Sequence, residues 1–150
     1  MRITKVETVR TSNIPRWVWV RIHTDSGLIG LGESTAVSAP TEAHIRAELA
    51  PYLIGKDPLL IDRHQAHMIG YVGFVGASAE MRGRSAVDIA LWDLWGQAPD
   101  QPIHQLLGGA VRDDIRAYNT CAGYRYVRNR PTQGTANFGL AGDEGPYEDL

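Results

Sequence analysis

The sequence predicts an α+β fold, a three-stranded antiparallel meander followed by a helical bundle. Three observations carry that expectation. Residues 1–33 hold short runs in which apolar and polar side chains alternate. From Thr41 the apolar positions recur every three or four residues instead. Strands therefore come first and helices second, the order of a segregated α+β domain rather than of alternating β-α units.

The first strand is placed at residues 2–11, where Ile3, Val6 and Val9 stand among Thr, Lys, Glu and Arg as on a partly exposed ribbon. A polar break at residues 11–16 follows. From Trp17 to Thr24 the period is two, with Val18, Val20 and Ile22 on one face and Trp17, Trp19, Arg21 and His23 on the other. Asp25-Ser26-Gly27 supplies a turn, and residues 28–33 return as a third strand. Thr41-Glu42-Ala43-His44, with Pro40 before it and an acid in its first turn, has the form of a helix start. Ile45, Leu49 and Leu53 continue it at helical spacing, although Pro51 has no N–H to donate and is expected to kink or restart the helix.

Gly55-Lys56-Asp57-Pro58 breaks the chain, and a second helix is expected over residues 59–71. Gly70, Gly73 and Gly76 form a turn around Phe74. A longer helix spans residues 78–98, in which the small Ala86 and Ala90 permit close approach to a neighbour. Asp100-Gln101-Pro102 stops it, residues 103–107 form a short helix, and Gly108-Gly109 ends that one. This domain is assigned residues 1–112. Within residues 113–150, positions 115–120 have the character of one more strand and positions 122–145 of a long polar loop. A helix starts at Pro146.

A composition that is 43% hydrophobic and 21% charged, with a net charge of −2, fits a water-soluble globular protein. It gives no electrostatic case for nucleic acid or an anionic membrane surface. No apolar run approaches the roughly 18 residues of a transmembrane helix. The charged start at Met1 does not have the form of a secretory signal. Cys121 is the only cysteine, so no intrachain disulfide can form, and a reducing, cytoplasmic setting is expected.

Three lesser patterns carry little. Gly30-Leu31-Gly32-Glu33 offers half of a dinucleotide fingerprint, but the third small residue is missing and Pro40 interrupts the helix start. His64 and His67 have a spacing that can hold a metal, yet with no third ligand nearby they read as a solvated helix surface. Cys121 has no evident histidine partner for nucleophilic work.

The most distinctive segment is Ser85-Ala86-Val87-Asp88-Ile89-Ala90-Leu91-Trp92-Asp93-Leu94-Trp95-Gly96-Gln97, followed by Pro102-Ile103-His104-Gln105-Leu106-Leu107-Gly108-Gly109. It resembles the first signature of the mandelate racemase and muconate lactonizing enzyme family of the enolase superfamily. Gly83 departs from it, standing where the signature usually opens with alanine. The meander, Gly27 to Glu33, and Tyr52-Leu53-Ile54-Gly55-Lys56-Asp57-Pro58 also resemble that family's N-terminal capping domain. The likeness spans about residues 1–121. Read physically, the signature is mostly packing, with small alanines and an Asp93–Gln97 pair at i,i+4. It names a family without marking an active site.

The resemblance implies a Mg²⁺-dependent enzyme in which a base removes the proton α to a substrate carboxylate and the metal stabilises the enediolate. It also implies that the ligands and bases sit on a catalytic barrel of about 250 residues. Residues 113–150 would hold only its first strand and first loop. No catalytic or metal-binding residue is therefore assigned in this chain, the Mg²⁺ ligands are placed beyond residue 150, and the 150 residues alone are expected to be inactive. A sugar-acid dehydratase is the preferred activity, with racemase, epimerase or cycloisomerase as the alternatives. A non-catalytic binding or dimerisation module is the reading of another class. The implied partners are a small carboxylate substrate and, at full length, further copies of the protein.

Within the cap, the resemblance places two loops over the barrel mouth, at residues 12–17 and 34–39. Asn13, Arg16, Trp17, Ser34 and Thr35 are the substrate-binding candidates there, with Arg16 and Trp17 foremost. Asn119 and Cys121, at the end of the expected barrel strand, complete the set.

Overall fold

The structure, a computed structural model, describes residues 1–69 and 78–115. Three strands, β1 (Ile3–Val9), β2 (Trp17–Thr24) and β3 (Ile29–Thr35), form an antiparallel sheet in the order β1-β2-β3. Val20 stands opposite Thr8 on one side and Gly32 on the other. The alternation in β2 is realised fully. Val18, Val20 and Ile22 are completely buried, and Trp17, Trp19, Arg21 and His23 are half-buried on the other face. Each buried Val or Ile contributes roughly 1.5–3 kcal/mol, so β2 anchors the sheet. The hairpin between β2 and β3 closes with the Thr24 N–H donating to the Leu28 carbonyl at 3.1 Å, and Gly27 takes the positive φ of 85° that the turn requires.

The first helical stretch opens earlier than its sequence indicates. α1 (Ser38–His44) starts three residues before Thr41, with Pro40 inside its first turn. Proline is tolerated there because the first N–H groups of a helix lack intrahelical acceptors in any case. A single π-helical turn (Ile45–Leu49) follows, and then α2 (Ala50–Leu53), which carries Pro51 near its start. The restart at Pro51 thus takes the form of a widened turn, in which the Ala50 N–H reaches back five residues to the Ile45 carbonyl.

After the turn at residues 54–60 come α3 (Ile61–Met68), the long α4 (Ala79–Gln97) and the short α5 (Ile103–Leu106). α3 is described only to Ile69. The glycine turn, the strand expected at 115–120, the polar loop and the last helix lie outside the described residues, apart from Ile115, which is in no regular element. Among the described residues no helix is long and apolar enough to cross a membrane.

The core lies between the sheet and the helices. Ile3, Val20 and Ile22 meet Ile45, Leu49, Leu53 and Ile61, together with Ala86, Val87, Ala90, Leu91 and Leu94 of α4. α4 rests directly on β3. A Cβ added at Gly30 or Gly32 would run into the carbonyl oxygen of Ala90 or Ala86 respectively. Glycines facing alanines let helix and strand backbones touch, so Gly30-Leu31-Gly32 is a seat for a helix and not a phosphate cradle.

The i,i+4 pair is also more than a helix contact. Asp93 Oδ2 accepts the Leu31 N–H at 2.8 Å, while Gln97 Nε2 donates to the Ile29 carbonyl and to Asp93, both at 2.9 Å. Gly83, the departure from the signature, is buried where an added Cβ would lie 3.1 Å from His44 Cδ2 and 3.2 Å from Ile45 Cγ1.

His64 corrects the reading of a solvated histidine pair. It is 1% exposed, with Nε2 2.7 Å from the Asp57 carbonyl and Nδ1 3.1 Å from the Tyr52 hydroxyl. The carbonyl can only accept, so Nε2 carries the proton and Nδ1 accepts from Tyr52. His67, by contrast, is exposed and stacks on Tyr52 at 3.6 Å between ring centroids. The compact unit Met1–Ala110 contains all of these elements. The second unit, Val111–Leu150, is described only over its first five residues, which form no regular element.

Candidate functional site

The end of the sheet where β1 finishes and β2 begins is built by pairing that the sequence encodes locally. Ile14-Pro15-Arg16-Trp17 makes a turn, closed by the Trp17 N–H donating to the Ile14 carbonyl at 3.1 Å. Pro15 holds the second position of that turn, where its fixed φ is suited. Asn13 and Arg16 are exposed on it, and Arg16 makes no ion pair among the described residues. Trp17 is the first residue of β2, half-buried and stacked on Trp19 with ring centroids 6.1 Å apart.

The end of β3 is brought beside this turn by register, with Trp17 paired to Thr35 and Val18 to Ser34. Ser34 and Thr35 are therefore strand residues, and the loop placed at 34–39 shrinks to Ala36 and Val37 before α1 begins at Ser38. The cause is β2, which runs as far as Trp17 and gives β3 a partner to its last residue. Successive strand residues face opposite sides, so Thr35 shares the Trp17 face and Ser34 takes the other. Ala36 turns the chain with φ at 80°, a conformation that costs a non-glycine residue about 1 kcal/mol or more.

One contact joins the two segments and another ties the end of β3 to α4. Ser38 Oγ, 5% exposed, donates to the Pro15 carbonyl at 2.7 Å, and Arg82 Nη1 of α4 donates to the Thr35 carbonyl at 3.0 Å. Neither residue stood out in the sequence, because a serine in a helix start and an arginine on a helix carry no signal of a partner 23 or 47 positions away.

The far side of the turn is fixed by Glu42 of α1. It accepts from Thr8 Oγ1 at 2.8 Å and pairs with Arg10 at 3.3 Å and Arg46 at 2.9 Å. Burial pushes its carboxyl up, but the hydrogen bonds from Thr8 and Arg10 and the charge of Arg46 together hold it below the ordinary range. Arg10 is thus neutralised and anchored, which leaves Arg16 as the free cation of the turn at residues 10–16. Asn13, Arg16, Trp17 and Thr35 gather at one end of the sheet. Ser34 is set behind them, and Asn119 and Cys121 lie outside the described residues.

Among the described residues no three His, Cys, Asp or Glu side chains group to hold a metal ion. These donors do not fit a Mg²⁺ site. What the arrangement can do is present a guanidinium, an indole and a hydroxyl on a tethered pair of turns. That set suits a polar, anionic small molecule meeting this end of the domain.

Residues 3–108 match the mandelate racemase / muconate lactonizing enzyme family, N-terminal domain. The chain is 40% identical over 156 aligned positions to a D-galactonate dehydratase of Verminephrobacter eiseniae, an alignment that covers 96% of the chain and 39% of the relative. It is 40% identical to a D-galactonate dehydratase of Klebsiella pneumoniae, covering 83% of the chain and 32% of the relative.

Among solved structures, an enolase of the mandelate racemase subgroup from Agrobacterium tumefaciens superposes with a TM-score of 0.77 at 46% identity, covering 89% of this chain and 37% of that one. A member of the enolase superfamily from Salmonella Typhimurium gives 0.69 at 33%, covering 78% and 31%. The chain thus spans 32–39% of the length of these curated relatives. The match over residues 3–108, on a meander-then-helices architecture with helix α4 seated in the glycines of β3, places this chain in the mandelate racemase / muconate lactonizing enzyme family of the enolase superfamily, with the fold of its N-terminal capping domain.

Proposed function

We propose that this chain is the capping part of a sugar-acid dehydratase, and that its two tethered turns select the substrate. The observation that carries the reading is the 39–40% identity to D-galactonate dehydratases across 83% or more of the chain. It is supported by the gathering of Asn13, Arg16, Trp17 and Thr35 at one end of the sheet. In this reading Arg16 faces the hydroxyl-rich or carboxylate end of an aldonic or aldaric acid, and closure of the turns excludes water from the reacting carbon.

In this reading proton abstraction α to the carboxylate and loss of the β-hydroxyl fall to side chains of a catalytic barrel outside the capping domain. Mg²⁺, bound by that barrel, would stabilise the enediolate. The test is an assay of the full-length enzyme bearing this segment against a panel of aldonic and aldaric acids. Dehydration of at least one, abolished by EDTA and restored by Mg²⁺, is the expected result. Racemisation or cycloisomerisation with no 2-keto-3-deoxy product from any sugar acid would overturn the dehydratase assignment. The 150-residue chain alone is expected to catalyse no α-proton exchange in D₂O.

A further inference from the structure

The opposite end of the sheet, at the start of β1, carries a second concavity of about 640 Å³. Arg2, Tyr52, Lys56, Asp57, Arg63 and His67 line it. The seven residues of β1 separate it from the substrate turns by roughly 20 Å. Its floor is fixed by backbone bonds, from the Ile3 N–H to the Lys56 carbonyl at 2.9 Å and from the Gly55 N–H to the Ile3 carbonyl at 2.8 Å.

The wall is rigid as well. The Tyr52 hydroxyl is held by the buried His64, its ring stacks on His67, and Lys56 Nζ sits 4.8 Å from the same ring centroid. Arg2, Lys56 and Arg63 make no ion pair among the described residues. Asp57 is the one carboxylate of the lining, and its Oδ1 already accepts the Leu59 N–H at 3.0 Å. Three cations and one carboxylate thus line the concavity, a local excess of positive charge in a chain whose net charge is −2, with Arg2 Nη1 also donating to the Gly55 carbonyl at 3.5 Å.

We propose that this concavity binds a small multivalent oxyanion, a phosphate group or a polycarboxylate, at a site separate from the substrate turns. Guanidinium groups present paired N–H donors to such oxygens, and an ammonium held on an aromatic face adds a positioned charge. The stiff Tyr52–His64 wall keeps the lining from collapsing, so little ordering is required on binding. The site does not depend on the dehydratase reading, since none of its residues belongs to the substrate turns.

The test is an amide NMR titration of the chain with inorganic phosphate and, separately, with citrate, each compared with sodium chloride at matched ionic strength. Saturable shifts at Gly55, Lys56 and Arg63 are expected, and the salt that saturates first distinguishes a phosphate source from a carboxylate source. Arg63→Ala and Lys56→Gln should each weaken that binding about tenfold while the dispersion of the spectrum is kept. If one variant fails to fold, the other decides. Shifts that track ionic strength equally in all three salts, saturation at other residues, or undiminished affinity in a folded variant would overturn the proposal.

Discussion

At the residue scale two glycines, one on β3 facing α4 and one on α4 facing α1 and the π-turn, behave differently. Gly32 has no room for a methyl group, because the obstacle is the Ala86 carbonyl, a backbone atom that cannot swing away. Gly32→Ala should therefore cost about 3 kcal/mol or more in urea denaturation, at the high end of overpacking. At Gly83 the tight neighbours are the side chains of His44 and Ile45 at 3.1–3.2 Å, and the Thr41 carbonyl stands off at an ordinary 3.7 Å. There the intrinsic helix gain of about 1 kcal/mol for alanine is offset by the squeeze, and Gly83→Ala should stay within about 1 kcal/mol of the parent. Ala86 and Ala90 were legible as contact residues from the sequence. Their partners at Gly30 and Gly32 were not, because nothing local links positions more than 50 apart.

Arg16 belongs to the same scale. With Arg10 tied to Glu42, removing the Arg16 guanidinium takes away only what it offers a ligand. On the proposed dehydratase reading, Arg16→Ala in the full-length protein should lower kcat/KM for a sugar acid about tenfold with an unchanged Tm. Unchanged kinetics would make it ordinary surface.

Between elements, β1, α1 and the π-turn are joined through Glu42. Its carboxyl is held below the ordinary value of 4.5, so the stability it contributes is complete above that pH and is lost as pH falls through its lowered folded value. Glu42→Gln should cost about 1–2 kcal/mol at pH 7, and the gap to the parent should close as pH falls from 4.5 through the lowered folded value. A gap independent of pH would show that charge plays no part.

Asp88 works in the other direction. Burial raises it above 3.8, against the Gln65 hydrogen bond and the Arg84 charge, so its cost is present above the raised value and is relieved on acidification. The helix starting at Ser38 and the π-turn before Pro51 escaped the sequence reading for one reason. Proline announces that the ordinary hydrogen-bond ladder fails, but not whether the chain breaks, widens or accommodates it in a first turn. The β2 strand was legible to the residue because its period-two pattern has no competing explanation.

For the molecule as a whole, the fold followed from the order of its periodicities, whereas the candidate site followed only in outline. Its two segments were placed by the family resemblance alone. The bond that unites them, Ser38 to the Pro15 carbonyl, arises only once sheet and helix are assembled. Ser38→Ala should leave the domain folded, with a loss of about 1 kcal/mol. It should also raise KM of the full-length enzyme more than it lowers kcat, since positioning rather than chemistry is disturbed. A proportional fall in kcat alone would argue against that role.

The side chains that Asp93 and Gln97 extend to β3 have a consequence for the purified protein as well. An outermost strand with free N–H and C=O groups is a template on which other chains can add, one after another, into fibrils. Here α4 occupies those groups at Ile29 and Leu31, and the turn at Gly55 and Lys56 does the same for Ile3 on the other border. The domain thus shields part of each border itself, β3 through side chains of α4 and the start of β1 through a turn, which limits the recruitment of neighbours.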